Sequence, residues 1–263
     1  MDDATFLGEW RDWHEAREQR LVSPHGFLAI TGLHWLDDAP ARIPGVPGAW
    51  SFGPDGVVVE LGEDERLSLD GRDLAGRAVI GEVDESGILA ESGDLRIEVA
   101  RRGGAVLLRP RDPAHALRTE HRETPTYPPS RHWQVAATFH PYAAVAPTDI
   151  EIQNLPDAVV EDAVGEVTFR IDGEEQRLVA LDDEGGLWLL FSDATSGRTT
   201  YGAGRQLSAP PPGPDGTVVL DFNRATNLPC AYTAFTTCPI PPPQNRMKIP
   251  VAAGEQVPSD EAC

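Results

Sequence analysis

Residues 53–71 read GPDGVVVELGEDERLSLDG, and the reading of this stretch decides the fold. Two short aliphatic runs, 57–61 and 66–69, stand between the turn signals Gly53-Pro54-Asp55-Gly56, Gly62-Glu63-Asp64 and Asp70-Gly71. Branched aliphatic side chains suit a half-buried pleated surface, and Asp-Gly pairs supply the positive φ that tight hairpins need. The stretch therefore predicts short antiparallel strands joined by hairpins.

The same punctuation continues on either side. Runs at 77–81, 95–100 and 105–109 alternate with Ser86-Gly87, Ser92-Gly93-Asp94 and Gly103-Gly104, so 43–111 is expected to be an antiparallel meander or sandwich. A glycine-rich phosphate loop opening a helix is missing, which argues against a nucleotide-binding α/β unit. Upstream, Phe6, Trp10, Trp13 and Leu21 recur at helical spacing, and charged residues fill the other face. They predict a helix over 3–21, started by Asp2 or Asp3, with the two tryptophans as the anchor that holds it. Pro24 and Gly26 end it; 27–30 is a short buried strand or turn, and His34 a packing residue.

Downstream, 109–131 breaks the rhythm with arginines and two histidines, against the acidic remainder. Partners among the chain's own acids, or an anionic ligand, would each explain it. Strands resume at 133–139, 165–171, 176–181 and 187–192, with hairpins at Asp172-Gly173 and Asp183-Glu184-Gly185-Gly186. In FSDATSGRTTYGAGRQL, 191–207, the DATSG core is a turn and 198–201 the returning strand. Gly202 and Gly204 interrupt that strand, as at a bulge or a close backbone approach. A last strand, 217–222, delivers Asp221 and Asn223 to its end with both side chains on one face. The expected fold class is mainly β: an N-terminal helix, then two antiparallel β layers or a sandwich plus small barrel, closed by a proline-rich C-terminal strap. Boundaries follow at 1–36 for the helix and buried segment, 37–115 for the first meander and 116–263 for the second sheet or barrel with its strap, with one continuous domain as the alternative.

The 263 residues carry 22 basic and 42 acidic side chains, a formal net charge of -20, and Lys248 is the one lysine. So acidic a surface repels nucleic acid and anionic membranes, and neither is expected as a partner. The opening MDDATFLGEW has neither the basic nor the apolar region of a secretion signal, and no apolar run is long enough to span a bilayer. With three cysteines, the expectation is a cytoplasmic protein with reduced thiols.

The familiar catalytic templates are missing: no GxSxG, HExxH, paired CxxC, phosphate loop or dinucleotide fingerprint, so no cofactor is named. Cys230 and Cys238 read as buried structural thiols; a disulfide between them is geometrically possible but disfavoured in a reducing compartment, and a metal there would need further ligands such as His132 or His140. The polar residues gather instead at 221–255, DFNRATNLPCAYTAFTTCPIPPPQNRMKIPVAAGE. Asp221, Asn223 and Asn227 stand where a strand gives way to irregular chain, and hairpin pairing brings Tyr201 and Arg205 near them. The prolines at 239 and 241–243 stiffen the strap that presents Asn245 and, after another strand, Glu255. Two readings follow. In one, Tyr201, Arg205, Asp221, Asn223, Asn227 and Asn245 line a small-molecule pocket, with Arg205 clamping an anion, Asp221 as base or orienter and Tyr201 as hydrogen-bond donor. In the other, the same groups form a structural latch in a non-catalytic β protein.

The tryptophan- and arginine-bearing helix, FLAITGLHWL, FSDATSGRTTYGAGR and the 221–255 tail together resemble the bacterial and archaeal domain of unknown function DUF1684. Leu228 stands where similar members often have proline, and Gln244 where they often have glutamate. The resemblance implies a β-rich fold and carries no reaction.

Overall fold

A computed structural model describes residues 2–155 and 159–258; Cys263 lies outside them. The chain divides into two compact units, one formed by Met1–Gln19 with Arg122–Cys263 and the other by Arg20–His121. It is mainly β, as expected, and among the described residues every pairing between the named strands is antiparallel.

The N-terminal helix α1 runs Asp3–Leu21. Its first turn is held by Asp2, whose carboxylate accepts the Thr5 amide at 2.8 Å and so satisfies one of the free donors of a helix start.

Arg20–His121 holds ten strands: β1 His34–Leu36, β2 Ala41–Arg42, β3 Ala49–Gly53, β4 Gly56–Glu60, β5 Leu67–Leu69, β6 Arg72–Leu74, β7 Arg77–Gly81, β8 Ile88–Ser92, β9 Leu95–Arg102 and β10 Ala105–Arg111. They form a six-stranded sheet, β1-β10-β9-β8-β5-β6, and a four-stranded sheet, β2-β3-β4-β7. Trp50, Val57, Val59, Ile97, Val99, Val106 and Leu108 are among the buried side chains of the core they share. The hairpin signals act as read: Asp70 and Gly71 have φ of 51° and 73°, and Gly56 has 78°. Segment 27–30 forms the turn rather than the strand, a 3-10 turn over Phe27–Ala29, and a one-turn helix α2, Ala116–Thr119, lies within the basic stretch. Arg109 and Arg111 both bond the Glu98 carboxylate, so that stretch finds partners among the chain's own acids.

The other unit is built on one seven-stranded sheet, in the order β16-β11-β12-β13-β14-β15-β17. Its strands are β11 Gln134–Ile150, β12 Val159–Ile171, β13 Glu174–Asp183, β14 Gly186–Phe191, β15 Arg205–Ala209, β16 Thr217–Asp221 and β17 Thr226–Asn227. One face carries Val167, Phe169, Leu178, Leu189, Leu207 and Leu220, and the strap adds Met247, Val251 and Ala253 to this core. A smaller cluster contains Ile150, Val179, Leu190, Leu228, Cys230 and Cys238. Because β13 contributes Leu178 to the first and Val179 to the second, both of its faces are buried.

Three expectations need correction. The strand expected at 133–139 continues to Ile150: Pro141 and Pro147 pair with β12 around a register shift, while β16 covers only Gln134–Thr138 on the other edge. A proline without an amide hydrogen is tolerated on such an open edge. The returning strand expected at 198–201 lies instead at Arg205–Ala209. Residues 193–204 are wound around Asp193, whose Oδ1 accepts the Thr195 amide at 2.8 Å and hydroxyl at 2.6 Å, a local alternative to strand pairing. The strand expected between Asn245 and Glu255 is replaced by irregular chain, held by a single parallel bridge, Ser192 to Arg246, and by Ala194 donating to Ile249 O at 3.0 Å.

Candidate functional site

Arg205 opens β15 and stands in register with Asn227 of β17. Its side chain is wholly buried, and so is that of Asp193. Nη2 donates to Asp193 Oδ2 and to Val251 O, each at 2.9 Å. Nη1 donates to Ala253 O and, at 3.2 Å, to Glu255 O. Underneath lies the Phe191 ring, its centroid 5.3 Å from the guanidinium carbon. Burial draws the Arg205 guanidinium below its usual pKa, and the Asp193 charge works against that shift. Asp193 uses its other oxygen for the Val251 amide at 3.0 Å as well as for Thr195. One ion pair thus fixes three points of the strap, at 251, 253 and 255.

The Glu255 carboxylate is also wholly buried. It accepts from Arg17 Nε at 2.9 Å, from the Asn227 amide at 2.6 Å and from the Tyr232 hydroxyl at 3.2 Å. Arg17 also donates to Asn227 O at 3.1 Å, and the Tyr232 hydroxyl lies 3.1 Å from that of Thr124. Burial pulls the Arg17 guanidinium down, but Glu255 outweighs it and leaves the pKa raised. The Tyr232 phenol is pushed up by burial and by the same carboxylate. Arg17 stands one turn beyond Trp13, so α1 is tied to the strap through its inner face. Trp10 extends this tie by donating to Asn223 O at 3.1 Å.

The asparagines fasten backbone to backbone. Asn223 accepts the Ser130 amide and donates to Ser130 O, both at 2.9 Å, and reaches Asp221 Oδ1 at 2.7 Å. Asn227 donates to Gln256 O at 2.8 Å. Asn245 accepts the Val179 amide at 2.7 Å and donates to Val179 O at 2.9 Å and Leu190 O at 2.7 Å, which pins the strap across β13 and β14. At Gly204, φ is 100° and an added Cβ would stand 2.6 Å from Phe191 O and 2.7 Å from Pro241 Cγ, so a glycine there lets the strap pass.

Of the residues expected to converge, Arg205 and Asn227 do meet, with Glu255 beside them. Asp221 meets Asn223 rather than Arg205, and its other contacts are Gln134 at 3.1 Å and Arg224 at 3.5 Å. Tyr201 lies apart, in the smaller cluster, where burial and then the Cys230 thiol raise its pKa. Asn245 sits across β13 and β14. Sequence reading missed Asp193, Arg17, Thr124 and Tyr232 as members. Arg17 had a usable signal, because Phe6, Trp10, Trp13, Arg17 and Leu21 share one helical stripe; Asp193 was hidden inside what reads as a plain turn.

Elsewhere on this unit an open groove of about 550 Å³ runs between β11 and β12, lined by His132, Gln134, Thr138, Thr168, Arg170 and Asp172 among others. Among the described residues no three histidine, cysteine or acidic side chains come together to hold a metal ion, and no helix is long and apolar enough to cross a membrane.

No curated protein matches the chain. Among solved structures, an uncharacterized protein of Haloarcula marismortui, determined by NMR in solution, is 30% identical. The match covers 53% of this chain and 78% of that one, with a TM-score of 0.44. A model of the family described as protein of unknown function DUF1684 matches residues 119–256, a span that includes both buried ion-paired carboxylates and the whole strap. The chain belongs to the DUF1684 family.

Proposed function

We propose that the polar tail is a structural latch in a non-catalytic, cytoplasmic β protein, and that its role is to hold the C-terminal strap and the N-terminal helix on the seven-stranded sheet. The observation that carries this reading is the Arg205 guanidinium. It has no solvent exposure, and both of its Nη atoms are committed to Asp193 and to carbonyls of residues 251, 253 and 255. An anion clamp needs donors that face a ligand, whereas these face the chain. The same holds for Asn245, whose three hydrogen bonds all go to backbone groups of residues 179 and 190.

The pocket reading keeps Tyr201, Arg205, Asp221 and Asn223 as ligand-binding residues and predicts a different response. A thermal-shift screen of wild type, Arg205→Met and Asp221→Ala against a metabolite library separates the two. As a latch, Arg205→Met loses much of its melting temperature whatever is added, and no compound shifts the wild type through these residues. A compound that stabilises the wild type, but not a variant of unchanged stability, would overturn the latch.

A further inference from the structure

The latch leaves one chemically capable pair unused. Cys230 lies in the 3-10 turn Pro229–Ala231, two residues beyond β17, and Cys238 lies where the strap begins. Neither is in a disulfide, and both are buried, at 8% and 4% exposure. The Cys230 amide donates to Cys238 Sγ at 3.1 Å, and Cys230 Cβ lies only about 2.5 Å from that nitrogen by standard bond lengths. Hydrogen bonding with Cys238, followed by burial, pushes the Cys230 thiol far up. Cys238 is placed by its own backbone: its carbonyl accepts the Gln153 amide at 2.9 Å, and Ile240 donates to Glu151 O at 2.8 Å.

We propose that Cys230 and Cys238 are a modification site that closes to a disulfide with a low-molecular-weight disulfide as oxidant, fastening the start of the strap to the end of β17. The thiolate of one cysteine attacks the oxidant, forming a mixed disulfide and releasing one reduced thiol. The second cysteine attacks the protein sulfur of that mixed disulfide and releases the other. Two thiol protons leave, the protein loses two electrons, and the oxidant is reduced to two thiols. Burial and the raised thiol keep the closed strap slow to react; once the first bond forms, the second sulfur is already adjacent.

The experiment uses the full chain with Cys263→Ser, equilibrated in mixtures of oxidised and reduced glutathione, acid-quenched, alkylated and digested with trypsin. Arg224 and Arg246 flank both cysteines with no basic residue between, so the pair falls in one peptide, 225–246. The expected product lacks two hydrogens and carries neither an alkyl group nor glutathione. Half-oxidation of the folded chain should need about tenfold less oxidised glutathione than the same chain in urea. The oxidised protein should melt about 5 °C higher, from the loop it closes. Cys230→Ser and Cys238→Ser should each leave the remaining thiol open to alkylation or to glutathione. The proposal falls if the folded chain, its circular dichroism unchanged, keeps both alkyl groups or holds glutathione on one cysteine. It falls equally if folded and urea-treated chains oxidise alike, if the melting temperature of the oxidised chain does not move, or if either single variant still loses its remaining thiol to another cysteine.

Discussion

Arg205 and Asp193 meet at 2.9 Å with neither side chain reaching solvent, and the same guanidinium holds the carbonyls of residues 251, 253 and 255. Taking two charges out of water is costly, and their attraction offsets that cost only where the remaining donors and acceptors are also satisfied. Here the strap takes up the donors on both Nη atoms, while Nε is buried without a partner among the described residues. The strap and the ion pair therefore need each other: without the carbonyls the guanidinium would be under-bonded, and without the guanidinium three carbonyls would lose their donor.

Removing one partner should be severe. Asp193→Ala and Arg205→Met are each expected to cost about 3–5 kcal/mol, because each leaves an uncompensated buried charge or buried acceptors. The double variant should lose clearly less than the sum. Urea unfolding of the three proteins gives the coupling directly, and additive losses would show that the pair is not a unit.

The second ion pair holds α1. Glu255→Gln removes the charge that faces Arg17 while keeping the shape of the side chain, and a loss of about 3 kcal/mol is expected. Amide exchange should rise first in residues 3–19, since Arg17 is their tie to the strap at Glu255. Unchanged protection of the helix would mean that its other contacts suffice.

Along the strap, neighbouring positions should behave in opposite ways. Asn245→Ala leaves the Val179 amide and two carbonyls unpaired, and about 3 kcal/mol should be lost. Gln244→Glu, next to it but exposed, should change stability by less than about 0.5 kcal/mol. Equal effects on thermal unfolding would contradict the reading of Asn245 as the fastening point.

In the unit Arg20–His121, Glu65 ties two loops. Its carboxylate accepts from Arg42 at 2.8 Å and from the amides of Gly48 at 2.9 Å and Gly62 at 2.7 Å. Hydrogen bonding to Arg42, then to those two amides, holds its pKa at about 2. Its folded pKa is depressed, so its stabilising contribution is complete above the ordinary value of 4.5 and is lost as pH falls towards about 2. A carboxyl carbon titration by NMR should show the low midpoint, and Glu65→Gln should flatten acid unfolding across that window. A midpoint near 4.5 would contradict the contacts.

Much of the fold was legible because hairpins are local. Asp70-Gly71 and Asp172-Gly173 name their own turns, and α1 shows its stripe over five turns. What escaped depended on distant chain. Nothing near Asp193 in sequence says that its carboxylate waits for Arg205 and for the amide of residue 251, so a side-chain-wound loop looked like an ordinary turn and the returning strand was set too early. The strand expected at 133–139 was set too short, because the tolerance of Pro141 and Pro147 within it rests on an edge that β16 does not cover. The site was half legible for the same reason. The tail announced its polar residues, and Asn223 and Asp221 found each other locally, but the partners of Arg205 and Glu255 come from turns and a helix far away in the chain.

The most direct test of the latch is the melting temperature of Arg205→Met, measured with and without the metabolite library. The account predicts a fall of about 10 °C that no compound alters, together with a wild type whose melting temperature none of them raises through this residue. A variant that melts with the wild type but has lost a compound-induced shift would contradict it.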